Sequence, residues 1–261
     1  MTAKELETII LEIAPLHNGN QGDPNGLLYG DPEGRVTGIA TTWTPTVLVL
    51  KQAAAEGLNF VLTHEIPWFT STPSSWFATL PEDERPHNIA RKAVVDGHGL
   101  MVCRCHSNWD GTEGGVPDAL AEVLGFGAPI HKSHFVRMYE VRPQPLAKLA
   151  EHVKAHLGVP TVRIAGDLAR VVRKVGIAYG GLAQNFGYID EFIINGADTV
   201  ICGEAFDYSL RAAIDADIGL IETSHVASEN PGMRKFAGLL QERLPDMPVR
   251  FIDAGHPWVY R

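Results

Sequence analysis

The sequence has few cysteines and no excess of basic residues, and these shortages argue against several classes of protein. Three cysteines among 261 residues cannot all pair with one another, and each lies in an apolar segment. We therefore expect buried thiols in a reducing, cytoplasmic compartment. Cys103 and Cys105 lack the spacing of a zinc knuckle. The formal net charge of -9 argues against a general binder of nucleic-acid backbones, which needs a basic face.

Long apolar runs and low-complexity tracts are also missing. No apolar run approaches ~18 residues, and no basic segment followed by an apolar core opens the sequence, so we expect neither a membrane span nor a signal peptide. Hydrophobic residues make up 45% of the chain and charged residues 20%, which is typical of a globular protein. Its length is sufficient for a sizeable core, in one large domain or two smaller ones.

Apolar runs alternate with helical patterns along most of the chain. Short strands are predicted over 36–41, 60–63, 99–103, 133–141, 171–179, 199–202, 218–222 and 249–252. Helices are predicted over 4–14, 44–56, 86–97, 115–125, 145–157, 206–216 and 231–244, and residues 15–32 are predicted to be loop. This alternation predicts an α/β fold with largely parallel sheets flanked by helices. Gly180 and Gly181 follow one strand and form either a tight turn or an anion cradle.

One strand end carries a histidine and a carboxylate. His225 and Glu229 follow the apolar run 218–221, and Asn230-Pro231 directly after them is typical of an N-cap and a first helical position. This pattern predicts that both side chains lie in the loop at the carboxyl end of a strand, where open α/β sheets place their sites.

The same spacing occurs a second time. His106 and Asp110 follow the apolar run 99–103, 119 residues before His225 and Glu229. The segment 57–65 likewise resembles 196–204, displaced by 139 residues. The sequence therefore predicts two degenerate copies of one βαβαβ unit, in halves 1–130 and 131–261, the first with an insertion near 66–85. The aromatic residues of this insertion are predicted to form a lid, a substrate wall, a subunit contact or ordinary packing.

Seven histidines and carboxylates end the repeated strands and are expected to meet between the two halves. They are His64, Glu65, His106, Asp110, Glu204, His225 and Glu229. Imidazoles mixed with carboxylates suit borderline divalent ions such as Zn, Fe, Mn or Co. The set is large enough for two ions, which a bridging carboxylate would hold ~3.5–4 Å apart.

Four separated motifs in this order resemble the Nif-three-like family, whose members are often called GTP cyclohydrolase I type two homologues. They are Thr63-His64-Glu65-Ile66-Pro67, His106-Ser107-Asn108-Trp109-Asp110 with Gly114-Gly115-Val116, Cys202-Gly203-Glu204, and His225-Val226-Ala227-Ser228-Glu229. Asn25-Gly26-Leu27 with Gly30 extends the resemblance over nearly the whole chain. The resemblance implies a duplicated α/β fold, a dinuclear metal centre and a ring-shaped homo-oligomer, commonly a hexamer.

The resemblance also implies a ligand set. Carried over by position, the metal ligands are His64, Glu65, Asp110, His225 and Glu229, with His106 beside them. Two departures matter, because the family usually has a second histidine at the position of Glu65 and a Trp-Asp pair before Asn25. As a ligand, a carboxylate at position 65 is a harder donor, which should favour Mn or Fe relative to Zn. The alternative is that Glu65 binds no metal and instead accepts a proton from a metal-bound water.

Two hypotheses for function stay open. The first is a metal-dependent hydrolase of an unidentified small molecule, in which two ions activate water and Glu204 or His106 carries the proton. The second is a non-catalytic metal-binding scaffold or interaction protein. The cyclohydrolase activity rests on resemblance alone, since the sequence contains no purine-reading motif. A metal site with open positions for water would favour the enzyme.

Overall fold

The computed structural model describes residues 1–70, 76, 78–259 and 261. The chain divides into two compact units. Unit 1 contains Met1–Thr112 and Met233–Arg261, and unit 2 contains Glu113–Gly232. The compact units divide near residue 112, whereas the sequence repeat is predicted to divide at 130/131; the boundary of the repeat stays a prediction.

Unit 1 is built on a five-stranded sheet of order β1-β4-β3-β2-β11. Its strands are β1 (Gly26–Tyr29), β2 (Ile39–Thr42), β3 (Phe60–Thr63), β4 (Met101–Arg104) and β11 (Val249–Phe251). Its helices are α1 (Ala3–Ile13), α2 (Val47–Ala55), α3 (Pro86–His98), α4 (Ser107–Gly111) and most of α9 (His225–Arg243). Leu50 of α2 and Val95 of α3 pack with Val61 and Val102 of the sheet in one apolar core.

Unit 2 is built on a six-stranded sheet of order β5-β6-β8-β9-β10-β7. Its strands are β5 (His131–Lys132), β6 (Arg137–Pro145), β7 (Arg163–Ala165), β8 (Val171–Ala178), β9 (Thr199–Cys202) and β10 (Gly219–Glu222). Its helices are α5 (Val116–Val123), α6 (Leu146–Leu157), α7 (Phe186–Ile194), α8 (Asp207–Asp215) and the start of α9. Phe192 and Leu210 pack on Val200 and Leu220 to form its core.

The predicted α/β fold with duplicated units is confirmed. Three adjacent parallel strands form the centre of each sheet, β2-β3-β4 in unit 1 and β8-β9-β10 in unit 2. Strands β3 and β9 have the predicted bounds and the predicted displacement of 139 residues. Because parallel strands end at one edge of a sheet, the residues that follow β3 and β4 are brought together, as are those that follow β9 and β10.

The sheets are mixed, so the prediction of largely parallel sheets needs correction at their edges. β1 runs antiparallel to β4, although residues 15–32 were expected to be loop. In unit 2, β5, β6 and β8 pair antiparallel, and β7 pairs antiparallel with β10. Side-chain alternation does not encode strand direction, which depends on how the connecting segments cross the sheet.

The helix α9 begins at His225, six residues before the predicted start, and Pro231 lies inside it. The expectation that His225 and Glu229 lie in a loop is therefore wrong. Ser224 starts the helix, since its hydroxyl accepts from the N–H of Ala227 at 3.3 Å and its carbonyl accepts from the N–H of Ser228 at 3.1 Å. The Asn230-Pro231 pair imitates a helix start because proline is common at the first helical position. Inside α9, Pro231 instead removes one hydrogen bond of the helix.

All three cysteines are free and buried, as the sequence predicts. Burial raises the pKa of the Cys103, Cys105 and Cys202 thiols, so these groups are protonated at neutral pH. Among the described residues, no helix combines the length and the apolar character needed to cross a membrane.

The predicted insertion lies only in part within the described residues, since 71–75 and 77 are outside them. Its first residues are fixed on α3: the Asn88 side chain bonds both backbone groups of Phe69 at 2.9 Å, and buried Arg91 donates to the Pro67 carbonyl at 2.8 Å. Trp68 packs against the core of unit 1. The role of the insertion as lid, wall or subunit contact stays a prediction.

Candidate metal centre

His64 occupies the residue directly after β3 and is fully buried. Its Nδ1 lies 3.0 Å from the carbonyl oxygen of Cys105. A carbonyl oxygen only accepts hydrogen bonds, so Nδ1 carries the hydrogen and Nε2 presents a lone pair. That Nε2 faces Asp110, whose Oδ1 lies 3.5 Å away. The distance is long for a hydrogen bond but close to the ~3.4 Å between two donors of one tetrahedral ion with bonds of ~2.1 Å.

His106 follows β4 and is held by the segment before β1. Its backbone N–H donates to Asn25 Oδ1 at 2.8 Å, and its ring Nδ1 lies 2.8 Å from Asp23 Oδ2. Since the carboxylate is the acceptor, His106 also has its Nε2 available. The His106 ring lies 4.9 Å from that of His64, between centroids. Both imidazoles thus have the outer-shell partner that metal-binding histidines commonly have.

Asp110 completes this cluster from the short helix α4. Its N–H donates to the His106 carbonyl at 3.0 Å, so the two residues are one helical turn apart and share a face. One ligand atom from each of His64, His106 and Asp110 lies within 4.8 Å of the others. We call this group the unit 1 cluster. Two imidazoles and one carboxylate form a donor set that suits Zn, Fe or Mn, so the residues fit the predicted metal.

Unit 2 contains a histidine with the same two kinds of partner. His225 Nδ1 lies 3.3 Å from Glu204 Oε2, and its Nε2 lies 3.2 Å from Glu229 Oε2. Gln184 Nε2 donates to the same Glu204 oxygen at 3.0 Å and helps to hold it. In each unit, therefore, one carboxylate bonds Nδ1 of a histidine, Asp23 that of His106 and Glu204 that of His225.

Gly180 makes room for the side chains of His225 and Glu229. A Cβ on Gly180 would lie 2.0 Å from Glu229 Oε1 and 3.0 Å from His225 Nε2, and the residue has a positive φ of 53°. The Gly180 N–H donates to Ser228 Oγ at 2.8 Å and is therefore already bonded. Of the two roles predicted for Gly180-Gly181, the structure favours the tight turn over the anion cradle.

Gly203 in unit 2 stands at the position that His64 occupies in the first repeat. A Cβ on Gly203 would lie 2.3 Å from the Gly180 carbonyl oxygen and 2.6 Å from the Gly180 nitrogen. A histidine side chain at position 203 would therefore clash with the backbone of Gly180. The second repeat accordingly has one strand-end histidine, His225, where the first has His64 and His106.

Gly203→Ala is expected to destabilise the protein by about 1–3 kcal/mol, because backbone atoms cannot rotate away from the added methyl group. Thermal unfolding followed by circular dichroism measures the loss. The matched control is Gly238→Ala in α9, where an added Cβ meets nothing within 4 Å and helix propensity favours alanine. That variant is expected to gain ~0.4–1 kcal/mol. Equal effects of the two substitutions would contradict the close approach at Gly203.

A family model described as Duf34/NIF3 (NGG1p interacting factor 3) matches residues 1–257. The chain belongs to the Duf34/NIF3 family. The resemblance predicted from four motifs is thereby confirmed. The match includes every residue of the unit 1 cluster and the His225–Glu229 pair.

Relatives and solved structures of the NIF3 family span the same length. A Clostridium perfringens relative named GTP cyclohydrolase 1 type 2 homolog is 29% identical over 97% of this chain and 95% of its own length. The solved structure of ybgI, of unknown function, has a TM-score of 0.85 and 26% identity, covering 99% of this chain and all of its own. A Bacillus cereus protein related to NIF3 has a TM-score of 0.84 at 17% identity, covering 100% and 99%.

Sequence reasoning missed Asp23 in this NIF3-family chain. Besides bonding His106, the Asp23 carboxylate accepts from Ser107 Oγ and from Arg104 Nη1, each at 2.5 Å. Burial alone would raise its pKa, but the bonds from His106, Ser107 and Arg104 outweigh burial and hold the pKa of this carboxyl well below its usual range. The sequence feature that could have pointed to Asp23 is its place two residues before the Asn25 motif, in a segment predicted to be loop.

Glu65 follows His64 at the end of β3 and is partly buried. Its N–H donates to the Trp43 carbonyl at 2.8 Å, and its own carbonyl accepts from Thr63 Oγ1 at 3.0 Å. These bonds fix the backbone of the residue at the strand end of unit 1. Its role as a ligand stays a prediction, as does the proton-carrier role predicted for Glu204 and His106.

Proposed function

We propose that the protein is a divalent-metal-dependent hydrolase of a small-molecule substrate. The observation that carries this proposal is the unit 1 cluster, in which His64 and His106 both have Nδ1 bonded to an acceptor and Asp110 lies 3.5 Å from Nε2 of His64. In a metal site, a neutral imidazole binds through the nitrogen that carries no hydrogen, and a partner at the other nitrogen determines which one that is.

The His225–Glu229 pair supports a second ion. His225 Nε2 lies 3.2 Å from Glu229 Oε2, and the Glu229 side chain is only 4% exposed. A buried carboxylate next to the lone pair of an imidazole is costly unless a cation or a proton lies between them. We therefore propose two ions per chain, Zn, Fe or Mn, with Glu65 as a further ligand on the strength of the family resemblance. The harder oxygen donor at position 65 favours Mn or Fe.

The residues of the chain divide into two roles around such ions. A bound divalent ion supplies Lewis-acid activation of water and of a phosphoryl or carbonyl oxygen. Asp23 and Glu204 orient the histidines through Nδ1. Glu204 has a side chain 42% exposed, so this carboxylate is accessible to solvent and stays the proposed proton carrier. We propose that His106, the other predicted proton carrier, is instead a ligand through Nε2, since its Nδ1 is bonded to Asp23.

Two further properties belong to this proposal and rest on family resemblance and composition. A homo-oligomeric ring, with a hexamer as the expected size, follows from the resemblance. We also propose a cytoplasmic location, which the three free thiols support because thiols stay reduced in that compartment.

The metal-loaded protein is expected to hydrolyse at least one member of a panel of phosphoesters, nucleotides including GTP, and cyclic amides. GTP belongs in the panel because the Clostridium perfringens relative is named GTP cyclohydrolase 1 type 2 homolog. Turnover should depend on added Mn or Zn and disappear with a chelator, since a bound ion would supply the Lewis acid that activates water. Product release is measured by chromatography and phosphate assay.

The scaffold hypothesis predicts the opposite result. Metal that binds stoichiometrically without turnover of any substrate in the panel would favour a non-catalytic metal-binding protein. Turnover that survives the chelator and the substitution of Asp110 would arise elsewhere and would contradict the proposed site. The control is His98→Ala, an exposed histidine in the last turn of α3, which should change neither metal content nor turnover.

A further inference from the structure

Asp23 lies where two segments of unit 1 meet. The segment before β1 supplies Asp23, and the segment after β4 supplies His106 and Ser107. Asp23 Oδ2 lies 2.8 Å from His106 Nδ1 and accepts from Ser107 Oγ at 2.5 Å and from the Ser107 N–H at 3.1 Å. The carboxylate is 12% exposed. Several donors therefore converge on one largely buried anion.

Arg104 gives this anion its counterion. The side chain of Arg104 is 5% exposed, and its Nη1 donates to Asp23 Oδ1 at 2.5 Å and to the Pro24 carbonyl at 2.9 Å. Its Nε donates to the His64 carbonyl at 3.1 Å. One guanidinium thus fixes the carboxylate that bonds His106 and the backbone that carries His64. With this partner, the carboxylate stays ionised despite its burial.

An ionised carboxylate has only lone pairs to offer, so it selects one tautomer of its imidazole partner. Nδ1–H facing Asp23 makes a charge-assisted bond, whereas the alternative tautomer would point the Nδ1 lone pair at the carboxylate and place the hydrogen on Nε2. A hydrogen on Nε2 would block the atom that His106 contributes to the unit 1 cluster.

We propose that Asp23, held by Arg104, is a positioning residue that sets the Nδ1–H tautomer of His106 and thereby raises the affinity of the unit 1 cluster for a divalent ion. The tautomer part stands on the hydrogen bonds alone. The affinity part rests on the proposed function, because it requires that the unit 1 cluster binds metal.

The tautomer is measured on metal-free protein by ¹⁵N NMR of labelled histidine side chains, at a pH where free imidazole is neutral. The His106 signals are assigned by their loss in His106→Ala. The wild type is expected to show Nδ1–H. The Asp23→Asn side chain has one acceptor oxygen in place of two, while Arg104, Ser107 and His106 still compete to donate to it. His106 then loses its preferred acceptor at Nδ1. The Nε2–H tautomer of His106 should therefore become populated. Asp96→Asn, which alters an exposed carboxylate bonded to Tyr29, is the matched control and should leave His106 unchanged.

The affinity is measured with zinc by competition against a chromophoric chelator. Asp23→Asn is expected to weaken zinc binding by about 10–100-fold, the range for loss of an outer-shell partner. If Asp23 acts through His106, the same substitution in a His106→Ala background should change the affinity less than ~2-fold. A merely structural role would instead lower the affinity equally in both backgrounds.

Equal losses in the two backgrounds, or an unchanged His106 tautomer in Asp23→Asn, would overturn the proposal. Should Asp23→Asn fail to fold, Arg104→Lys provides the second test. That variant keeps the charge but lacks the planar fork that reaches Asp23, Pro24 and His64 together. It is expected to shift the His106 tautomer in the same direction, and no shift would overturn the proposal. A wild type that binds no zinc would overturn the proposed function, and the NMR measurement would still decide the tautomer.

Discussion

Replacing Asp110 with asparagine is expected to lower the affinity for zinc by more than ~100-fold, beyond the range for loss of an outer-shell partner. Asp110 is the only carboxylate of the unit 1 cluster, and its Oδ1 lies 3.5 Å from His64 Nε2. The amide keeps the shape of the side chain but removes the negative charge that a divalent ion requires. Elemental analysis is expected to find close to two ions per wild-type chain and one fewer in the variant.

Asparagine should leave the fold intact, because the α4 helix is formed by backbone bonds that the substitution does not touch. Circular dichroism and thermal unfolding check this point. Asp190→Asn, which changes an exposed carboxylate on α7, is the matched control and should keep the full metal content. Less than half an equivalent of metal in the wild type, even after reconstitution with Zn, Mn and Fe, would contradict the metal site itself.

Asp118→Asn is expected to lower the free energy of unfolding by about 3–5 kcal/mol, the range for breaking a buried ion pair from one side. Arg137 is fully buried, and its Nε donates to Asp118 Oδ1 at 2.7 Å. An amide cannot neutralise this guanidinium. The carbonyls of Ser133 and Val136 still accept from Arg137 Nη1 at 2.7 and 3.0 Å. We therefore expect the loss of stability to lie near the lower end of this range. Urea unfolding at neutral pH measures it.

The effect of Asp118 should depend on pH. Burial raises its pKa, but the hydrogen bond and charge of Arg137 outweigh burial, so the pKa of this carboxyl lies below its usual value when folded. Such a group stabilises the fold above its unfolded pKa of about 3.9 and loses that contribution as pH falls through the folded pKa. The difference in stability between wild type and Asp118→Asn is therefore expected to be constant from about pH 5 to 7 and to shrink below about pH 4.

A neighbouring surface pair provides the control for Asp118. Glu113 is largely exposed and lies 3.9 Å from Lys132, so Glu113→Gln should cost less than ~1 kcal/mol. A similar loss of stability in the two variants would contradict the assignment of the buried Asp118–Arg137 pair as the important one.

The central strands and most helices could be predicted from the sequence because burial imposes a pattern on them. Residues 60–63 and 199–202 are continuous apolar or threonine runs, and both strands have the predicted bounds. The short edge strands β5 and β7 have two and three residues and no apolar pattern, so no local signal reveals them. Their existence depends on a neighbouring strand that offers free hydrogen-bonding groups.

The start of α9 shows how a local signal can mislead. Asn230-Pro231 has the composition of a helix start, yet the bonds from Ser224 begin the helix at His225. As a result, His225 and Glu229 of the candidate site lie one turn apart on the same face of a helix. Four-residue spacing alone could not decide between a loop and a helix.

The sequence by itself determined the family, the α/β class, the repeat, and the residue types from which a metal site is made. His64, His106 and Asp110 could be named because each follows a buried strand, and strand ends of a parallel sheet share an edge. Only the tertiary structure decided which carboxylate orients which histidine. Asp23 and His106 are 83 residues apart, so no local sequence motif contains both of them. Their contact exists because β1 pairs antiparallel with β4. Tautomer, burial and ligand spacing follow from such contacts, since each depends on atoms that the local sequence does not contain.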